Sequence, residues 1–595
     1  MIYGNLPLTM IRTNLHDLLP KAFLALLVIF AQSCFKDDPG DNDREGSTSE
    51  FPLEITAKAP SRPAEASCSS VAVKTMTPDG KLVYWEPGDQ VAVYPGASVE
   101  AERYRSIVYT TDIDEPQAAA TFTREPGLWN YEEGDFYYAA YPYSSVDRWG
   151  SIENRTCYLH APVFQTARTG GWDPNAGCLV AMSRTSEFIF EHVYAYVKFT
   201  VDGSTSPCVA LQVAVPGVAS TVVGDKDRAT DFITQVQDEA KVTYDENAIT
   251  TQPHYASPSV LLNDYAPSQY PSTKVVLNSP DGQPFKAGSY YLAILPHTYP
   301  NGLSFVFWSA DGKVAVKKLA GPLAVDRGDV VNVGTIGELN MHPAIENHTI
   351  WSDNQGVVFW VDESDPTKGK IVSICNHQET IWSTSLAYYG GNTDNPVDNY
   401  EAAVAGRTDE FIEENLPAID YCKKLRESNG GNWHLPSVEE LRVLYNSYYG
   451  RNYISPIIAG STDNTEGYDF RYKNGNQSVA GYQAVLTSKK HFDELLAQAG
   501  EPSPASLDGV NVTGNVGKYS IDSLTEADEY GNVHGVNYWT GKETRETGDT
   551  KGQSAFYVRI GRYIHYHTYK DGTTSNNNIK DNKYYVRCIK DVSLN

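Results

Sequence analysis

The sequence predicts a mainly β chain with a C-terminal α+β domain, two β-sandwiches in succession and then a compact unit where short helices meet a sheet. Two observations predict it. From Phe51 to about Asn340, apolar residues recur with period two in short runs set apart by turn residues, which is the pattern of half-buried strands. Beyond that the period changes, and two helix signatures meet at Gly430-Gly431. The units read as 51–185, 186–341 and 345–595, after a leader of 1–33 and a tether of 34–50.

The leader comes first. Lys21 precedes an apolar run from Ala22 to Ala31, too short to span a bilayer, which takes about 20 residues. Small residues then lead into Cys34 (Ala31-Gln32-Ser33-Cys34), with Met10 an alternative start. This pattern resembles a bacterial lipobox, which implies lipidation of Cys34 and loss of residues 1–33. Phe35-Lys36-Asp37-Asp38 behind it resembles the surface-export signal of Bacteroidota lipoproteins. Asp37 to Glu50 offers nothing apolar to bury and reads as a disordered tether.

The β stretch opens on Leu53-Glu54-Ile55-Thr56. Leu82-Val83-Tyr84-Trp85, a Pro87-Gly88 turn and Gln90-Val91-Ala92-Val93-Tyr94 read as two further strands. Ala195, Val197, Phe199 and Val201 alternate with Tyr196, Lys198 and Thr200, a strand with one face buried. Leu303, Phe305 and Phe307 lead through Asp311-Gly312 to Val314 and Val316, and Asp-Gly between alternating runs is the strongest short hairpin signal. So long a β stretch suggests two sandwiches.

In the third unit, Gly356 to Asp362 and Gly369 to Ser373 form a hairpin. Pro417 to Ser428 reads as a helix with Ile419, Cys422 and Leu425 on one side, ended by Asn429-Gly430-Gly431. Ser437 with Glu440 is a capping box that starts a second helix, whose Val438, Leu441 and Tyr445 lie on one stripe. The stretches 388–407 and 449–478, rich in Gly, Asn, Asp and Tyr, read as long loops.

Two family resemblances follow from these motifs. Trp85-Glu86-Pro87-Gly88-Asp89-Gln90-Val91, Gly134-Asp135-Phe136-Tyr137-Tyr138, the run Phe188 to Phe199, Tyr290 to Pro296 and Val325 to Val333 resemble, in order, the fimbrillin (Mfa-like pilin) family. That resemblance implies two transthyretin-like β-sandwiches and trimming at a basic residue, so that fimbrial subunits join by strand exchange. Lys58, Arg62 and Lys74 are the basic candidates near the first strand. The helix carrying Cys422, the run Gly431-Asn432-Trp433-His434-Leu435-Pro436-Ser437, Tyr538 to Gly541 and Tyr585 to Ile589 resemble the Legionella collagen-like C-terminal and Fibrobacter major paralogous domain group. That implies a C-type-lectin-like fold over roughly 351–592. His434 stands where the group usually has Arg, and Thr540-Gly541 replaces a usual Ser-Ser or Ser-Thr.

With Lys plus Arg at 48 against 74 Asp plus Glu, a net −26 argues against binding nucleic acid or an anionic membrane through a basic face. No C-x-x-C, H-E-x-x-H, G-x-S-x-G or G-x-G-x-x-G is present, and nothing assembles a nucleophile, base and oxyanion site; no cofactor and no enzyme activity are expected. His434, His565 and His567 read as ordinary histidines rather than metal ligands. Asp394, Asp398, Asp463 and Asp469 lack Ca²⁺-loop spacing. Setting Cys34 aside leaves an odd number of cysteines. Cys422 with Cys588 is the preferred disulfide, from first helix to last strand, and Cys157 with Cys178 a second candidate. Tyr389, Tyr449, Tyr468 and Tyr538 are the candidates for stacking on a glycan. The expected role is a surface-exposed, lipid-anchored fimbrial tip or accessory subunit with a lectin-like head for a glycan or host ligand; the alternative is a stand-alone glycan- or matrix-binding lipoprotein of the outer membrane.

Overall fold

A computed structural model describes residues 52–59, 84–95, 107–125, 137–149, 156–159, 161–202, 207–216, 240–243, 255–256, 259–262, 274–374, 377–384, 387–391, 393, 395–448, 479–499, 536–543, 555–560, 564–567 and 583–594. All belong to one compact unit that runs from Glu50 to Asn595. It is mainly β, with α-helices confined, among the described residues, to the C-terminal part.

The first sheet runs Glu187–Ile189, Glu54–Lys58, Ala119–Thr123, Ile107–Thr111, Gln90–Pro95, Tyr137–Tyr141, Leu179–Ser183 and Glu191–His192, with Tyr255–Ala256 beside Leu179–Ser183. Ile55, Val91, Val93, Ile107, Tyr109, Phe122 and Val180 build one core against it. Leu82 and Val83 lie outside the described residues, and Trp85 makes a single bridge to Gln117 rather than a strand.

The second core lies between two sheets. Gly288–Ile294, Ala195–Val201 and Val330–Ile336 form one, the last pair parallel. His342–Pro343, Lys313–Leu319, Leu303–Ser309, Cys208–Ala214, Lys274–Asn278 and Phe164–Thr166 form the other. The Asp311-Gly312 turn closes its hairpin as expected, with Gly312 at φ 77°, a backbone region glycine enters at no steric cost. Val197, Phe199, Leu292 and Ile294 meet Leu211, Val213, Phe305 and Phe307.

The Ala195–Val201 strand corrects one expectation. Tyr196 is fully buried, because the outer face of this sheet, with Tyr291 and Ala293, closes the first core. The start of the strand is therefore buried on both faces, and one sheet serves two cores. Strands also cross the 185/186 division: Glu187–Ile189 and Glu191–His192 stay in the first sheet, Ala240–Thr243 pairs with Thr156–Leu159, and Phe164–Thr166 pairs with Lys274–Asn278. Such crossings cover edges that separate sandwiches would leave open.

In the third part, Gly356–Val361, Lys368–Ser373 and Ile589–Ser593 make an antiparallel sheet. Alternate residues serve opposite cores: Val357, Phe359 and Val372 on one side, Val358 and Ile371 on the other. Helices α1 (Pro396–Val404), α2 (Asp409–Asn415) and α3 (Pro417–Asn429) contribute to the second of these, while α4 (Val438–Tyr448) and α5 (Val479–Ala499) contribute to the first. A further sheet, His377–Thr380, Tyr584–Val586, Val536–Glu543, Ala555–Ile560 and Ile564–His567, adds Tyr538 to one core and Trp539 to the other.

Helix α1 replaces part of the predicted 388–407 loop. Asn395 accepts hydrogen bonds from the Val397 and Asp398 amides at 3.0 and 3.4 Å, and Pro396 sits in the first turn; an N-cap followed by proline is a start signal. The turn 362–367 docks the third part on the second sandwich: Glu363 pairs with Lys274 at 2.9 Å, its carbonyl accepts from Gln212 Nε2 at 2.5 Å, and Asp365 pairs with Lys318 at 3.0 Å.

Candidate functional site

Two places combine burial with groups whose removal would leave something unsatisfied. One is the seat of the N-terminal strand Glu54–Lys58, the other a charge cluster under α4.

The strand is inserted between two neighbours, antiparallel to Ala119–Thr123 and parallel to Glu187–Ile189. Its backbone is bonded along both sides: Thr56 N–H donates to Ser186 O at 2.9 Å, Phe190 N–H to Lys58 O at 3.0 Å and Ala59 N–H to Ala118 O at 2.9 Å. Period two sends Ile55, Ala57 and Ala59 inward and leaves Glu54 and Lys58 exposed. Trp85 caps the seat from below. Its Nε1–H donates to Ala57 O at 3.0 Å, and its ring meets Phe122, Tyr141 and Phe190 edge-on at 5.1, 5.3 and 5.2 Å. At the mouth, Tyr109 OH and Arg124 Nε both donate to Pro52 O, at 2.5 and 3.2 Å, and the Arg124 amide donates to Leu53 O at 3.2 Å. Without the strand this seat would be an apolar groove between two strands with open backbone groups.

Under α4, the capping box forms: Glu440 N–H donates to Ser437 Oγ at 3.0 Å, and Ser437 N–H to Glu440 Oε2 at 2.9 Å. Glu440 does more than cap. His434 Nε2 lies 3.2 Å from its Oε1 and Lys370 Nζ 2.9 Å away, while His434 Nδ1 faces Asn432 O at 2.7 Å. A carbonyl can only accept, so Nδ1 carries a proton. Burial alone would push the Glu440 carboxyl up, but the charges of His434 and Lys370 outweigh it and hold it well below the usual carboxylate range. Burial likewise opposes the Lys370 ammonium, and Glu440 and Asp591 beside it raise it above the ordinary lysine value.

The other sequence-derived residues fall as follows. Cys422 and Cys588 are joined by a disulfide with Cα atoms 5.7 Å apart, tying α3 to the segment before the last strand. Cys178 is a buried thiol, so the pairing with Cys157 is not made; Cys157 lies on Thr156–Leu159, whereas Cys178 immediately precedes Leu179–Ser183, a strand of a different sheet. Tyr389 and Tyr538 are core residues at 6% and 0% exposure, and neither presents a ring to a ligand. The loop at Tyr389 folds inward because the buried Glu543 carboxylate accepts from the amides of Tyr389 and Gly391, while the Tyr538 strand carries core on both faces. Lys58 is exposed at the end of its strand. Cys34, Arg62, Lys74, Tyr449 and Tyr468 lie outside the described residues. Among those described, no group of acidic residues, histidines and cysteines could hold a metal, and no helix is long and apolar enough to cross a membrane.

Trp85 and Lys370 are legible in the sequence only as residues of expected strands, and Tyr109 and Arg124 carry no motif. The period-two pattern marks Tyr109 as a strand residue, but nothing local says whose carbonyl it meets.

Removing the disulfide has a defined consequence. The bond closes a loop of 166 residues, and losing such a link costs ~2–4 kcal/mol. A Cys422→Ser/Cys588→Ser chain is expected to unfold its C-terminal part at lower urea, while the first sheet keeps its midpoint; equal midpoints for both chains would contradict this.

No family model matches the chain, and no curated protein matches it. Solved structures that it resembles include a candidate cell adhesion protein from Bacteroides uniformis, 15% identical over 43% of this chain and 90% of that one, with a TM-score of 0.25. A fimbrial protein from Bacteroides ovatus is 11% identical over 91% of this chain and 99% of that one, TM-score 0.22. The tip fimbrial protein of Porphyromonas gingivalis is 7% identical over 39% and 76%, TM-score 0.19. Scores this low carry no conclusion about function.

Proposed function

We propose that this protein is a fimbrial or adhesive subunit of the bacterial surface whose N-terminal strand is removed so that a strand from a neighbouring subunit takes its place. The observation that carries the reading is the seat of Glu54–Lys58. A strand inserted between two others and followed by basic residues is an element whose excision leaves a groove ready for β-augmentation. The fimbrillin motifs quoted above point the same way.

Of the basic candidates, Lys58 has its carbonyl in the ladder and Arg62 precedes Pro63, which most proteases refuse. Lys74 is the candidate the chemistry favours. Anchoring through a lipid on Cys34 would hold the precursor at the outer membrane until cleavage frees it. The third part is fixed to the second sandwich by the 362–367 turn, and so bulky an addition suits a tip or accessory position better than a repeating shaft. A lectin-like role for this part would have to use surfaces other than Tyr389 and Tyr538.

Brief digestion of the mature chain with an Arg/Lys-specific protease tests the reading, with N-terminal sequencing and oligomer size followed together. Release of a segment containing Glu54–Lys58 with growth of higher oligomers is expected. A cleaved chain that stays monomeric would instead favour the stand-alone surface lipoprotein.

A further inference from the structure

We propose that Tyr109 and Arg124 form a carbonyl clamp that sets the register of whichever strand fills the N-terminal groove. This rests on the strand-exchange reading and adds what the groove selects.

Along most of its length the ladder hydrogen bonds of the groove are only what any strand would meet. Those features accept a strand in several registers, and a slip of one residue would turn every inward side chain outward. The mouth differs. Tyr109 is fully buried and Arg124 nearly so, and both side chains converge on one backbone atom, Pro52 O. That carbonyl lies three residues before Ile55, the first inward side chain. The Tyr109 strand is held in turn by its own pairing, Val91↔Tyr109, so the hydroxyl has a fixed position against which a strand is measured.

The floor sets the second requirement. Ala57 and Ala59 are buried, and the Trp85 N–H holds the Ala57 carbonyl while the Trp85 ring is locked among Phe122, Tyr141 and Phe190. Ala57 is fully buried in the first core, so a larger side chain there would have to displace its neighbours, and overpacked cores are penalised. The partner is therefore an extended segment of a neighbouring subunit with a β-branched residue, then two small residues at every second position, and a free carbonyl three residues ahead of the first. Because the clamp bonds backbone, the residue type at that carbonyl is not read.

A peptide-exchange cycle tests this on the complete chain nicked by the Arg/Lys protease. Two fluorescent peptides are used, acetyl-Phe51 to Ala59, and a shorter one in which a 4-methylpentanoyl group stands for Leu53, so that no Pro52 carbonyl exists. The nicked wild type should bind the longer peptide at least about tenfold more tightly, as expected for two hydrogen bonds, one from a charged donor. In Tyr109→Phe/Arg124→Met the ratio should fall to about threefold or less, the coupling that a double-mutant cycle isolates. Tyr109→Phe alone, should the double variant not fold, should give an intermediate ratio. An unchanged ratio in the variants would overturn the clamp and leave strand exchange standing. Failure of both peptides to enter the nicked wild type would overturn the strand-exchange reading and the clamp together.

Discussion

Replacing Glu440 with glutamine is expected to cost the C-terminal part ~3–5 kcal/mol, the usual penalty for stranding a buried charge. Glutamine keeps an acceptor for the Ser437 amide, so the capping box survives and the loss isolates the charge. What remains is the Lys370 ammonium and a ring, His434, that is fully buried, with Asp591 the remaining carboxylate on Lys370. Urea unfolding followed in the C-terminal part checks it, and a loss below about 1 kcal/mol would mean the cluster carries no more than an exposed pair. The same carboxylate gives a pH dependence. Its folded pKa is depressed, so its contribution is fully present above the unfolded glutamate value near 4.3 and is lost as pH falls below it. Wild type should therefore lose stability from about pH 4 downward, while E440Q should show a shallower slope there.

Trp85→Ala is the second large effect, expected at ~3–5 kcal/mol in the first sheet, the range for deleting a large buried aromatic. Three edge-on ring contacts and the hydrogen bond to Ala57 O go with it. Trp85→Phe keeps a ring on the floor and loses the donor, so it should cost nearer ~1 kcal/mol. The nicked Trp85→Ala chain should also release its Glu54–Lys58 segment faster than nicked wild type, because the indole is one of the groups holding that strand from outside the ladder. Equal release rates would show that Trp85 stabilises the sheet without gripping the strand.

Some of this was legible in residue order because its causes are local. The Ser437–Glu440 box, the Pro417 start and Gly430 stop of α3 and the Asp311-Gly312 turn each depend on residues within a few positions of one another, and each was read correctly. Helix α1 was missed although Asn395-Pro396 announces it, because the Gly, Asn and Asp around it suggested a loop. Tyr389 and Tyr538, candidates for stacking on a glycan, are core residues; tyrosine suits both settings, and only packing distinguishes them.

The sequence by itself determined the mainly β class, the helices that start at Pro417 and after Ser437, the turn at Asp311-Gly312, and the apolar face of strands such as Ala195–Val201. It also pointed to Cys422 and Cys588 as a pair. The tertiary structure alone decided which second faces are covered, as at Tyr196, and which distant groups meet. Lys370 reaches Glu440, Trp85 reaches Ala57, and Tyr109 and Arg124 reach Pro52. The physical reason is range. Propensity, capping and turn geometry act over a few residues and leave a trace in any short window, whereas desolvation and pairing of a buried group depend on what the whole chain brings beside it.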